Sequence, residues 1–288
     1  MRQETDIASL LRSATERLSH AGIEGAAREA RLLLEHAAGI PVATQIAFGE
    51  RLVGASDAEG FERVVQRRAA REPLSHIVGR REFWSLDFSV NGETLDPRAD
   101  SETLIEAVLR QLSASDVDYR RKPWSLIDFG TGTGCLLLAL LSELPMAHGL
   151  GIDINPGAIA VAASNAVRLG LAARASFQCG NWDRGIDARY DVVLSNPPYI
   201  PTADIETLQP EVARYEPRLA LDGGADGLDA YRALALAAVR VKASSGFAAF
   251  EIGIGQANDV RHIMASAGLR HMATESDLQG HERIVMFR

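Results

Sequence analysis

The sequence predicts an α/β protein in which a mostly parallel sheet carries helices on both faces and follows a small N-terminal helical bundle. From Ile7 to about Leu74, apolar residues recur at the spacing of a helix face. From Trp124 onward, short apolar strands alternate with helical stretches, which is typical of parallel strands joined by helices. Between these regions, strand-like apolar residues and the turn-forming pair Asn91-Gly92 indicate a β-hairpin that joins two domains.

These changes of pattern divide the chain into a helical domain (1–75), a hairpin linker (76–97) and a sheet domain (98–288). In the sheet domain the predicted strands are 125–128, 149–154, 175–179, 191–195, 246–252 and 284–287, and the predicted helices are 135–143, 156–169, 228–241 and 257–267. Ligands of such sheets bind at the carboxyl ends of the strands. We therefore expect the functional residues there.

The composition predicts a soluble, cytoplasmic protein. The chain has 288 residues with 30 Lys+Arg against 38 Asp+Glu, a net charge of −8. Its longest apolar run, 135–141, is far shorter than the roughly 20 residues that cross a bilayer, and an N-terminus with Glu4 and Asp6 does not resemble a secretion signal. Two cysteines and scattered histidines suggest neither a disulfide framework nor a metal site.

A glycine-rich stretch after the first sheet strand is the first candidate binding element. Gly130-Thr131-Gly132-Thr133-Gly134 follows Asp128 and opens the predicted helix 135–143. Glycines let a ligand approach the backbone closely, but this spacing differs from the Gly-x-Gly-x-x-Gly fingerprint that binds a pyrophosphate. Asp153, about 20 residues on, is placed to accept hydrogen bonds from ribose hydroxyls. Together these residues favour S-adenosylmethionine, with a nicotinamide cofactor as the main alternative.

A stiff turn, Asn196-Pro197-Pro198-Tyr199, ends the predicted strand 191–195 at the same edge of the sheet. Two prolines fix two φ angles and remove two donors, so the turn presents mainly acceptors: the Asn196 side-chain oxygen and the Pro197 carbonyl. Such acceptors suit a conjugated amino group in line with an S–CH3 bond, while the Tyr199 ring packs on that planar group or faces the sulfonium. In well-oriented intramolecular reactions positioning alone can supply about 7 to 11 kcal/mol, so the mechanism does not require a general base. A glutamine or asparagine amide and an adenine or guanine amino group all remain possible acceptors.

Further segments carry a family resemblance. They are 71–79, Glu82-Phe83, Pro97-Arg98, 100–102, 128–134, 195–200, 215–217, 226–228 and 251–253. With these segments the chain resembles the peptide chain release factor glutamine methyltransferases, the HemK/PrmC family, over nearly its whole length. The turn alone is shared with adenine-N6 DNA methyltransferases.

The resemblance implies a helical domain that binds class I peptide chain release factors and a Rossmann-like domain that methylates the glutamine N5 of their Gly-Gly-Gln motif. Carried over by position, the residues that would bind S-adenosylmethionine are Gly130, Thr131, Gly132, Thr133, Gly134, Asp153, Trp182 and Asn196. Asn196 and Pro197 would be catalytic, and Asn196, Pro197, Pro198 and Tyr199 would bind the glutamine amide.

Two alternative functions are compatible with the turn and the loop. An adenine-N6 DNA methyltransferase shares the turn, but a net charge of −8 and the lack of an evident base-reading insertion are unfavourable for binding phosphate-rich DNA. A non-catalytic cofactor-binding protein is the second alternative. We expect no direct nucleic-acid partner, no membrane partner and no metal.

Overall fold

The computed structural model of the protein describes residues 5–288, which form two compact units. One unit contains residues up to 79 together with 209–215, and the other contains 80–208 and 216–288. The strands are β1 Thr5–Asp6, β2 Leu52–Val53, β3 Arg80–Phe83, β4 Leu86–Ser89, β5 Ser125–Phe129, β6 His148–Asp153, β7 Ala175–Cys179, β8 Tyr190–Ser195, β9 Lys242–Glu251, β10 His271–Ser276 and β11 Glu282–Phe287. The helices are α1 Ile7–His20, α2 Ala26–Ala38, α3 Val42–Ala47, α4 Ala55–Ala69, α5 Leu74–Val78, α6 Glu102–Ser115, α7 Cys135–Glu143, α8 Pro156–Arg168, α9 Pro210–Tyr215, α10 Asp229–Val241 and α11 Ala257–Ser266.

The first unit is a helical bundle with its own apolar core. Helix α1 begins at the N-cap Asp6, whose carboxylate accepts the Ser9 amide at 2.8 Å. Its buried residues Ile7, Leu11 and Leu18 lie on one face and pack with residues of α2 and α4. The apolar spacing in this part of the sequence therefore predicted the helices correctly.

An ion-pair cluster joins the segment 209–215 to this bundle. Arg68 contacts Glu29 at 2.6 Å and Glu211 at 2.9 Å, and Arg71 contacts the other oxygen of Glu211 at 2.7 Å. The Tyr215 hydroxyl donates to the Ala70 carbonyl at 2.8 Å. A segment expected in the domain 98–288 thus belongs to the helical unit, because charges far apart in sequence pair here.

The predicted hairpin is present, but its position and its turn differ from the expectation. Strands β3 and β4 pair antiparallel within the second unit, and Ile77 and Val78 belong to helix α5. The turn is formed by Trp84 and Ser85, both at positive φ (53° and 58°), and not by Asn91-Gly92. Asn-Gly is the preferred pair in two-residue hairpin turns, but here a local hydrogen bond stabilises the Trp84-Ser85 turn. The Glu82 side chain accepts this bond from the Ser85 backbone amide at 2.6 Å.

The second unit is built on a seven-stranded sheet in the order β10-β11-β9-β8-β5-β6-β7. Strands β5 to β9 pair in parallel, whereas β11 pairs antiparallel with both of its neighbours, β9 and β10. The chain runs outward from β5 through β6 to β7 and then returns to the other side of β5 with β8. This reversal between β5 and β8 is the topological switch point at which doubly wound sheets bind ligands, and it confirms the predicted Rossmann-like architecture.

Two apolar cores cover the two faces of this sheet. Successive residues of β5 alternate between them: Leu126 packs in the core that contains α6 and α7, and Ile127 packs in the core that contains α10 and α11. Burial on both faces explains why the central strands β5 and β8 are largely apolar. Within residues 5–288, no helix is both long and apolar enough to cross a membrane.

We expect Arg68→Met to destabilise the helical unit by about 3 kcal/mol, because it leaves two carboxylates without their shared cation in a largely buried position. The matched control is Arg17→Met, which removes an Arg–Glu pair in the same unit. The Arg68 side chain is 7% exposed and that of Arg17 is 40% exposed, so the control should cost less than about 1 kcal/mol. Hydrogen exchange of the α2 and α4 backbone amides measures the stability of the unit in both variants. An equal loss of stability in Arg68→Met and Arg17→Met would contradict the prediction.

Candidate active site

A cavity of about 370 Å³ lies at the carboxyl ends of the central strands. Of the residues predicted from sequence, those that line it are Gly130, Thr131, Gly132, Thr133, Asp153, Trp182, Asn196 and Pro198. The loop after β5, the end of β6 and the turn after β8 thus converge on one space. Gly134, Pro197 and Tyr199 do not line it.

The glycine loop forms a backbone cradle on the cavity wall. Gly130 and Gly132 have positive φ angles of 68° and 54°, which side chains rarely adopt. A Cβ added at Gly130 would meet no atom within 4 Å, so the space beside the backbone is open to a ligand. The Gly132 amide donates to Asp153 Oδ2 at 2.9 Å, which holds the loop against the end of β6.

Gly134 has a packing role, and its predicted role in cofactor binding stays a prediction. Its φ is 80°, and it stands immediately before α7. A Cβ there would lie 3.2 Å from both Ala162 and Leu138 and 3.4 Å from Phe177. The third glycine therefore allows close packing behind the loop.

Asp153 has the geometry expected of an acceptor for two hydroxyl groups. Its Oδ1 accepts the Asn155 amide at 2.9 Å and its Oδ2 accepts the Gly132 amide, so the carboxylate is held rigidly at the cavity. Each oxygen keeps a further acceptor site for a ligand. The Asn155 side-chain oxygen accepts the Gly157 backbone amide at 2.8 Å and so caps α8, which begins at Pro156.

Asp128 lies beneath the glycine loop and is fully buried. Burial raises the pKa of its carboxyl to about 7; a hydrogen bond from Thr131 lowers the pKa and the nearby Asp153 raises it. The Thr131 hydroxyl donates to Asp128 Oδ2 at 2.7 Å. Asp128 therefore anchors the loop from inside, while Asp153 faces the ligand space.

The turn after β8 is fixed to its neighbours on both sides. The Ser195 hydroxyl donates to the Phe129 carbonyl of β5 at 2.7 Å, and the Tyr199 carbonyl accepts from Gln256 at 3.0 Å. The Asn196 Nδ2 donates to Ser101 Oγ at 3.2 Å, which leaves its Oδ1 as the acceptor for a ligand. The Tyr199 ring packs against the core shared with α10 and α11 and is not among the side chains that line the cavity. Burial raises the pKa of its hydroxyl to about 12.

Part of the cavity wall comes from residues that sequence reasoning did not assign to the site. These are Glu93, Leu95, Pro97, Arg98 and Ser101 before α6, and Pro217, Leu219 and Ala220 before α10. Arg98 contacts Glu216 at 2.6 Å, an interaction that joins these two stretches. For Pro97, Arg98, Ser101 and Pro217 the signal was indirect, since these residues lie in segments that carry the family resemblance. The other residues of this wall gave no signal. Trp182 lines the same cavity. Its ring packs edge-to-face against the Phe129 ring, with 6.3 Å between the ring centroids.

Comparison with known proteins agrees with this geometry. A family profile described as PrmC N-terminal domain matches residues 9–79, and one described as methyltransferase domain matches 121–223. The release factor glutamine methyltransferase of Rhodospirillum rubrum is 46% identical over 94% of this chain and 82% of its own length. The protein of the same name from Caulobacter vibrioides is 42% identical, over 95% of this chain and 93% of its own length.

One solved structure supports the fold alone. The catalytic domain of hMettl16, in complex with MAT2A 3′UTR hairpin 6, has a TM-score of 0.57 and 14% identity, and the match covers 78% of this chain and 81% of that chain. The sheet topology and the match to a methyltransferase domain identify an S-adenosylmethionine-dependent methyltransferase. The sequence similarity is more specific. The chain belongs to the release factor glutamine methyltransferase family.

We expect Asp128 to make the protein less stable as the pH rises from about 4 to about 7. Its pKa in the folded chain, about 7, is above the ordinary 3.8. In this window the folded chain therefore binds a proton that the unfolded chain has lost, and the free energy of unfolding falls with pH, by on the order of 3 kcal/mol in total.

Urea unfolding at about pH 5 and about pH 8 tests this expectation. Asp128→Asn cannot ionise, so its midpoint should fall less between the two pH values than that of the parent. Asp187→Asn, which changes an exposed aspartate, should behave like the parent. If Asp128→Asn were as pH-sensitive as the parent, Asp128 would not be the titrating group.

Proposed function

We propose that the protein methylates the side-chain N5 of the glutamine in the Gly-Gly-Gln motif of class I peptide chain release factors. The observation that carries this proposal is the Asn196 carboxamide, which lines the same cavity as the glycine cradle and whose Nδ2 already donates to Ser101. Its oxygen is thus free to accept an N–H from a substrate amide. The names of the relatives supply the substrate class.

The chain's own residues account for binding and orientation. Gly130, Gly132 and Asp153 would hold S-adenosylmethionine, with Trp182 beside them. The cofactor supplies an electrophilic methyl group when bound. Asn196 Oδ1 and the Pro197 carbonyl would accept the two amide hydrogens and so orient the nitrogen. The nitrogen would bond to the methyl carbon as the S–CH3 bond breaks, the sulfur would keep that electron pair, and one N–H hydrogen would leave as a proton to water.

Acceptors suit this reaction better than a base does, because an amide nitrogen is not basic and its lone pair is delocalised. Hydrogen bonds to its two hydrogens stabilise the positive charge that develops on nitrogen during transfer. They also discriminate against glutamate, which has no N–H to donate and meets lone-pair repulsion.

The helical unit is proposed to bind the release factor, and the protein is proposed to act in the cytoplasm. The match of residues 9–79 to the PrmC N-terminal domain supports the first assignment. The free thiols of Cys135 and Cys179 are consistent with a reducing compartment. Pro198 lines the cavity and is proposed to contact the substrate amide. Tyr199 is proposed to act by stabilising the turn from within the core.

Incubation of the full chain with tritiated S-adenosylmethionine, a class I release factor and DNA tests the proposed substrate. We expect label on the release factor only, with one added methyl group on the Gly-Gly-Gln glutamine by peptide mass spectrometry. A release factor with glutamate at this position is the matched control and should stay unlabelled. Label on DNA would support an adenine-N6 methyltransferase, and cofactor binding without transfer would support a non-catalytic protein.

We expect Asn196→Ala to lower kcat by on the order of 100-fold, the size typical for loss of one group aligned with the transition state. The affinity for S-adenosylmethionine, measured by calorimetry, should change much less. Asn258→Ala is the control, because it removes a carboxamide from the exposed face of α11. Near-normal turnover of Asn196→Ala would contradict the role given to its oxygen.

A further inference from the structure

A buried hydrogen-bonded chain extends from the candidate site into the protein. Ser101 ends a short 3-10 helix before α6, and its hydroxyl donates to Glu251 Oε2 at 2.5 Å. Asn196 Nδ2 donates to the same hydroxyl oxygen at 3.2 Å. Ser101 is 2% exposed and Glu251 is 1% exposed, so the bond between these two residues is shielded from water.

The sheet register brings these groups together. Ser195 of β8 pairs with Phe250 of the adjacent parallel strand β9. Asn196 and Glu251 are the next residues on the two strands, so they leave the sheet side by side at its carboxyl edge. Ser101 precedes Asn196 by 95 residues and Glu251 by 150 residues, and its hydroxyl lies between their side chains.

The polarity of this chain is determined by Glu251. An ionised carboxylate only accepts hydrogen bonds, so the single hydroxyl hydrogen of Ser101 must point to it. Ser101 Oγ then offers only lone pairs to Asn196. The Asn196 carboxamide can donate to these lone pairs only through its NH2 group, so its oxygen must point away from Ser101.

We propose that Ser101 and Glu251 are positioning residues that fix the orientation of the Asn196 carboxamide and so present its oxygen to the substrate amide. This inference rests on the proposed function, in which that oxygen accepts an N–H of the substrate. With the carboxamide turned the other way, Asn196 would present a second donor to the substrate's own N–H groups. Transfer would then lose one of its two aligned acceptors.

The inference predicts that kcat depends on the ionisation of Glu251. Burial raises the pKa of Glu251 to about 7, while the hydrogen bonds from Ser101 and Tyr199 and the charge of Arg283 lower it. A protonated Glu251 could donate to Ser101, whose hydrogen would then be free to turn to Asn196. The titratable groups that face Glu251 are Asp100, Cys135, Tyr199, Tyr231 and Arg283.

The test compares Ser101→Ala and Glu251→Gln with the parent at saturating S-adenosylmethionine, using methyl transfer to the release factor. The matched control is Ser125→Ala, which also removes a serine–carboxylate hydrogen bond, from Ser125 to Asp191 at 2.8 Å, at the opposite edge of the same sheet. Kinetics are measured from about pH 5.5 to about pH 8.5, a range that brackets the expected ionisation. Calorimetry measures cofactor affinity for each variant.

We expect Ser101→Ala to lower kcat roughly tenfold while cofactor affinity changes less than about threefold. The parent kcat should rise with pH through about 7, and Glu251→Gln should lack this rise because its amide does not ionise. Ser125→Ala should retain the parent's kcat and pH profile. A role in folding alone would not separate kcat from cofactor affinity or alter the pH profile.

Two results would overturn the inference: parent-like kcat in Ser101→Ala, or a Glu251→Gln variant that keeps the parent's rise with pH. A failure of the proposed function can be distinguished from both of these results. In that case the parent protein itself would transfer the methyl group to an acceptor other than the glutamine. The same variants measured on that acceptor would still report on the orientation of Asn196.

Discussion

The adjacency of β5 and β8 is the constraint on which the site depends. These two parallel strands pair at the point where the chain reverses direction across the sheet, so the glycine loop after one and the proline-rich turn after the other meet at a single edge. The Ser195 hydroxyl fixes this meeting point by bonding to the last carbonyl of β5. The glycine cradle and the proposed amide acceptor therefore line the same cavity.

Buried carboxylates stabilise the two halves of this cavity from behind. Asp128 accepts the Thr131 hydroxyl beneath the loop, and Glu251 accepts the Ser101 hydroxyl beneath the turn. Burial is unfavourable for the charged form of each, and it raises both pKa values to about 7. The unfavourable burial of Asp128 and Glu251 is compatible with a site that needs fixed acceptors. An ionised carboxylate only accepts hydrogen bonds, so each neighbouring donor must point its hydrogen toward it.

The connection from β8 to β9 serves three parts of the molecule in turn. It begins with the proline-rich turn, contributes 209–215 to the helical unit through Glu211 and Tyr215, and then supplies Pro217 and Leu219 to the cavity wall. The first and third of these parts are within the methyltransferase unit. The connection is therefore a functional part of the chain and more than a linker between strands.

Local sequence determined the elements whose signals are local. Apolar spacing fixed the bundle helices and the buried parallel strands, and the spacing of glycines, Asp153 and the turn identified the two ligand-facing elements. The polar strand β10 and helix α6 were not predicted, since neither the partly exposed residues of β10 nor the region before Trp124 gave a strong pattern. Only the tertiary structure assigned Gly134 to packing, turned Tyr199 into the core and placed Ser101 between Asn196 and Glu251, because strand register and burial bring together groups that sequence separation conceals.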